Sequence, residues 1–129
     1  PQSLAALGPA AVALAEAAIG GPYAERAFGA IVDLRDYAPD LSAVETLYGE
    51  DHGRVVLSVA PPALPGLKAL LARHGLRGYL AGEVRAPGGS LDVVLPGSVH
   101  RWPVDLLRSV YDDAIPRRMR EVVSDRAEA

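Results

Sequence analysis

Leu47-Tyr48-Gly49-Glu50-Asp51-His52-Gly53-Arg54-Val55-Val56-Leu57-Ser58-Val59 is the stretch that fixes a reading of this chain. Its second half, Arg54 to Val59, is rich in β-branched residues and bounded by Gly53 and Pro61, which predicts a central strand. In the first half, Gly49 and Gly53 permit a tight backbone path that side chains would obstruct. Glu50 and Arg54 stand four residues apart across this turn and can pair. We favour an ion pair that fixes the entry to the strand. The alternative has Glu50, His52 or Arg54 facing a substrate phosphate or a partner domain, and these three are the candidate substrate-binding residues.

Working outward, Leu7, Ala11, Leu14, Ala15 and Ala18 fall at helical spacing, with Pro9 suited to a first helical position. Gly20-Gly21-Pro22 stops that helix. Phe28 to Leu34 reads as a strand, and Ala38 to Tyr48 as a turn and short helix capped by Asp40 or Ser42. Beyond the central segment, Leu64, Leu67, Leu70 and Leu71 line a helix ending at Gly75, with Arg73 and His74 at its negative dipole end. Tyr79–Arg85 and Leu91–Leu95 predict a hairpin around Pro87-Gly88-Gly89-Ser90. Trp102-Pro103 opens a last helix that carries Leu106, Leu107, Val110 and Tyr111 inward and breaks or kinks at Pro116, with residues 120–129 a charged, fraying tail. The expected architecture is one α+β domain over residues 1–129, its mixed or antiparallel sheet covered by helices. Leu67, Leu70, Leu71, Leu106 and Val110 are expected to pack on that sheet.

Composition sets the limits. With 129 residues, half of them hydrophobic, the chain can build one core but not two. One Trp and one Phe leave Ala, Val and Leu to fill it. Without cysteine there is no disulfide, thiol nucleophile or thiolate metal site, which suits a reducing, cytoplasmic setting. No apolar run reaches the roughly 18 residues of a membrane span, and no basic residue precedes the first apolar stretch as in a signal peptide. Starting at Pro1 rather than Met, the chain is expected to be part of a longer protein. Its net charge of −3 offers no basic face to nucleic acid. Asp33, Asp36, Asp40, Glu45, Glu50 and Asp51 cluster around a lone Arg35, a spacing that matches no calcium loop and reads as a solvated surface. Twelve Arg accompany a single Lys and no Asn, a bias expected of a GC-rich genome.

Generic catalytic motifs are missing: no P-loop, no G-x-G-x-x-G, no G-x-S-x-G and no H-E-x-x-H. His74 and His100 read as surface residues. We therefore expect neither a catalytic residue nor a metal site within this chain.

Several segments together resemble a known family. LYGEDHGRVVLSV (47–59) is similar to the L-F-x-E-x-x-x-R element and following strand in the synthetase subunit of phosphoribosylformylglycinamidine synthase. Residues 104–119, ending in Ile115-Pro116 and Met119, resemble that family's C-terminal helix, which closes on a leucine-proline pair and a methionine. Gly82-Glu83-Val84 matches its I-G-x-V strand, and Ala13-Leu14-Ala15-Glu16 the helix that opens the domain. Gly49-Glu50-Asp51 also fits thiamine-monophosphate kinase, a related family, but the chain's ending fits the purine enzyme better. One element departs. Where the purine enzyme carries D-x-S-x-G-G-L, this chain has Leu4-Ala5-Ala6-Leu7-Gly8-Pro9-Ala10, which keeps one glycine and offers an anion few donors.

The resemblance implies the C-terminal domain of an amidine-forming ligase, which joins formylglycinamide ribonucleotide and glutamine-derived ammonia at the expense of ATP. ATP and magnesium would belong to an upstream ATP-binding domain, so the isolated chain is expected to be inactive. Its expected partners are that domain or another copy of itself, with no membrane or nucleic acid. The rival expectation is a non-catalytic interaction domain of the same fold.

Overall fold

The structure is a computed structural model that describes residues 9–20, 25–50 and 54–127, with side chains as far as residue 120. Helix α1 (Ala10–Ile19) starts after Pro9 and stops at Gly20, whose φ of 75° a side chain would resist. Strand β1 (Phe28–Asp33) and helix α2 (Ala43–Tyr48) follow. Ser42, not Asp40, caps α2: its hydroxyl accepts from the Glu45 N–H, and the Glu45 carboxylate accepts in return from the Ser42 N–H (2.9 Å). A 3-10 turn (Pro61–Ala63) leads into α3 (Leu64–Arg73), then β2 (Gly82–Leu95), β3 (Ser98–Pro103) and α4 (Val104–Ala127). The described residues thus form a small α+β domain with four helices and a mixed sheet in the order β1-β2-β3.

The pairing of β1 is unusual. Along residues 91–94 its partners ascend with it, Ala30 opposite Leu91 and Asp33 opposite Val94, which is parallel pairing. Along residues 82–88 they descend, Val32 opposite Gly82 and Phe28 opposite Gly88. One long strand therefore bends at Gly88 and Gly89 (φ 80° and 77°) and passes β1 on both sides. The expected hairpin is corrected accordingly: its arms are strands, but β1 lies between them. β3 pairs antiparallel with the second arm, Asp92 facing Arg101.

One face of this sheet makes the core. Val32, Leu91, Val93 and Leu95 pack with Leu34, with Leu14 of α1 and with Leu47 of α2, while Trp102 and Leu107 seal the margin. Arg108 of α4 closes the carbonyl end of α1 by donating to Ile19 O (2.7 Å).

Further expectations fail here. Residues 54–60 belong to no strand, and Val55, Leu57 and Val59 are exposed; only Val56 packs against the core. A β-branched run favours extended backbone, but a strand also needs a free edge, and the central place is taken by β1. Helix α3 forms over its leucines yet has no buried residue, because α1 and α2 already cover the core face. In α4, Leu106, Val110 and Tyr111 are exposed and Leu107 alone of the expected set packs inward. That helix also runs on past Pro116 to Ala127.

Candidate functional site

Gly49 is the C-cap of α2. A Cβ on Gly49 would press on the carbonyl oxygen of Glu45, so the chain leaves the helix by a path only glycine fits. Arg54 is half-buried and its Nη2 donates to Gly49 O (3.1 Å), tying the outgoing chain to the end of the helix. Glu50 is exposed, and His52 lies outside the described residues, as do Asp51, Gly53 and the Leu4–Gly8 segment. Of the three candidates, Glu50 and Arg54 are the two described, and Arg54 donates to a backbone carbonyl at Gly49.

A second polar cluster was not anticipated. Asp92 sits on β2 between Leu91 and Val93, which alternation sends to the core, so its carboxylate emerges on the opposite face of the sheet. It is nevertheless buried. Arg101, directly across on β3, donates from Nε to Oδ1 (2.9 Å) and from Nη2 to Oδ2 (3.0 Å), the planar fork that matches a carboxylate. The Ser90 hydroxyl donates to Oδ1 (2.6 Å), and Arg85 Nη1 stands 3.5 Å from Oδ2. Arg101 and Ser90 hold the Asp92 carboxyl below the ordinary aspartate range, against the upward push of burial. Asp92 is therefore a carboxylate at neutral pH and not a proton donor.

The signal for this cluster was present. Asp92 stands among the apolar residues 91, 93, 94 and 95, with Ser90 two residues before it and arginines at 85 and 101. What the sequence left open was the register that sets Arg101 against Asp92.

His100 stacks on Trp102 (ring centroids 5.8 Å apart), with Ser98 Oγ 3.2 Å from its Nε2. His74 ends α3, its N–H bonded to the Leu70 and Leu71 carbonyls. Asp33 of the acidic stretch pairs with Arg35 (2.6 Å) and Glu45 serves the α2 cap. Among the described residues, no three His, Asp or Glu side chains converge as a metal-binding group. None of the described helices is long and apolar enough to cross a membrane.

Neither family models nor curated proteins gave a match to this chain. The function therefore has to be argued from its own residues.

Proposed function

We propose that this chain is the C-terminal domain of a cytoplasmic, ATP-dependent amidine-forming ligase of purine biosynthesis, similar to the phosphoribosylformylglycinamidine synthase synthetase subunit. The carrying observation is the order and spacing of the matching segments: residues 13–16, 47–59, 82–84 and 104–119. Residues 13–16, 82–84 and 104–119 fall on α1, β2 and α4, while 47–59 begins at the end of α2 and its Arg54–Val59 part forms no strand. In this reading the domain contributes structure and not chemistry. Arg54 donates to the Gly49 backbone carbonyl, a contact that suits a structural part. ATP and magnesium would be held by an upstream domain.

The test uses the full-length parent protein. Phosphate release from magnesium–ATP should depend on both formylglycinamide ribonucleotide and ammonia, and the isolated 129-residue chain should give no heat with magnesium–ATP. Release that ignores the ribonucleotide, or that follows thiamine monophosphate instead, overturns the assignment.

A second reading, a non-catalytic interaction domain, rests on the apolar side chains left in solvent, among them Val12 of α1 and Leu106, Val110 and Ile115 of α4. In either reading the chain acts through association, with an ATP-binding domain or with another copy of itself. A parent gene without an ATP-binding domain would favour this second reading.

A further inference from the structure

We propose that Arg85 and Arg101, oriented by Asp92, form a binding site for a small oxyanion on the sheet face opposite α1 and α2. The inference is independent of the ligase reading. It starts from an arrangement of charge: one buried carboxylate receives two guanidinium groups, and the second carboxylate that the pairing of Ile31 puts on this face, that of Glu83, is exposed. The carboxylate is 6% exposed, whereas Arg85 and Arg101 are 46% and 68% exposed. The anion is thus the buried member and the cations face water.

Geometry then prepares the arginines. The fork to Asp92 occupies the Nε–H of Arg101 and one hydrogen on Nη2 and fixes the plane of the guanidinium. Its remaining donors are not used by the fork, and the side chain is largely exposed. Arg85 Nη1 and Arg101 Nη2 approach the same Oδ2, at 3.5 Å and 3.0 Å, so the two nitrogens are separated by no more than those lengths laid end to end. A single carboxylate or phosphate group can accept from both. Ser90 locks the other carboxylate oxygen (2.6 Å), so Asp92 cannot swing out to compete with an incoming anion. Such a site is preorganised: the cost of ordering long side chains has been met during folding and not on binding. Asp92 is the positioning residue, and the arginines make the contact.

The experiment is a titration of the folded chain with inorganic phosphate, matched by sodium chloride at equal ionic strength, read from the backbone and arginine Nε–H resonances in NMR. A parallel titration with acetate separates a tetrahedral dianion from a planar carboxylate. We expect saturable shifts at Arg85, Asp92 and Arg101 with phosphate, acetate or both, and none with chloride. Arg85→Gln, which leaves the Asp92–Arg101 fork in place, should weaken binding by about tenfold, the loss of one charge-assisted contact. Arg101→Lys keeps the charge and loses the fork, and should weaken it while leaving the circular-dichroism spectrum unchanged. Shifts that chloride reproduces, shifts that do not saturate, or binding unchanged in Arg85→Gln would overturn the proposal.

Discussion

Replacing Asp92 with Asn keeps the shape of the side chain and removes its charge. The carboxylate accepts from Arg101 through both oxygens and from Ser90, and an amide can offer only one oxygen to these donors. Its NH2 group must then face a donor of Arg101. Hydrogen bonds to charged groups contribute about 1.5–3 kcal/mol each, and breaking a fully buried ion pair costs about 3–5 kcal/mol because the orphaned charge stays buried. Here the orphaned charges belong to exposed arginines, which regain water. The smaller scale therefore applies, and Asp92→Asn should cost about 1–3 kcal/mol at neutral pH. The acid limb gives a sharper check. The folded state holds this carboxyl below its ordinary value of 3.8, so the unfolded chain takes up the proton first as pH falls. Its stabilisation is complete above that value and is lost as pH drops through the lower folded one. Urea unfolding of both proteins, followed by circular dichroism from neutral to acid pH, should show a stability gap that closes in acid. Equal stabilities at neutral pH, or a gap that persists unchanged in acid, would refute the reasoning.

Leu91→Ala should cost about 2–5 kcal/mol, since Leu91 is fully buried in the core, whereas Leu106→Ala, at a side chain 54% exposed, should stay within about 0.5 kcal/mol; comparable losses in urea unfolding would contradict the burial described. Ser42→Ala removes the hydroxyl half of the α2 capping box, leaving the Glu45 carboxylate its backbone N–H donor, and should lower stability by about 0.5–2 kcal/mol; an unchanged melting temperature would show that α2 does not depend on its cap. Val12→Glu, at a position 46% exposed on α1, should preserve the circular-dichroism spectrum while abolishing concentration-dependent association in sedimentation; a wild-type chain that stays monomeric at high concentration and binds no ATP-binding domain removes the basis for that expectation.

Legibility in the sequence followed the range of the forces involved. Ala10–Ile19 and Ala43–Tyr48 could be read because their signals are local: helical spacing, a stopping glycine, a serine three residues before a glutamate. The same holds for β1 and for the 91–95 arm, where runs rich in Val, Leu and Ile mark strands that reach the core. Arg54–Val59 was misplaced because strand propensity describes one segment and pairing requires two. The leucines of α3 fix a helical face, but whether that face finds a surface depends on α1 and α2 having reached the sheet first. At the Gly49–Arg54 turn, the need for glycine at 49 was readable from the sequence. The Asp92 cluster was legible only as a charge among apolar residues, since Arg101 meets it through the register of β2 and β3 and Arg85 reaches it from the arm beyond β1.

The placement of β1 between the two arms of β2 also governs how the domain can assemble. Every sheet partner of β1 lies in residues 82–94, so neither arm can pair with it until a long intervening loop has closed. The bend must then settle around Gly29, where even a methyl group would lie 2.9 Å from the Gly88 carbonyl oxygen and 3.1 Å from that of Ser90. During synthesis α1, β1 and α2 leave the ribosome well before the strand that covers them, and Leu14, Val32 and Leu47 wait in water meanwhile. The vulnerable moment for this protein is that interval, when a strand with two open edges exists and the partner described for it has not yet been made.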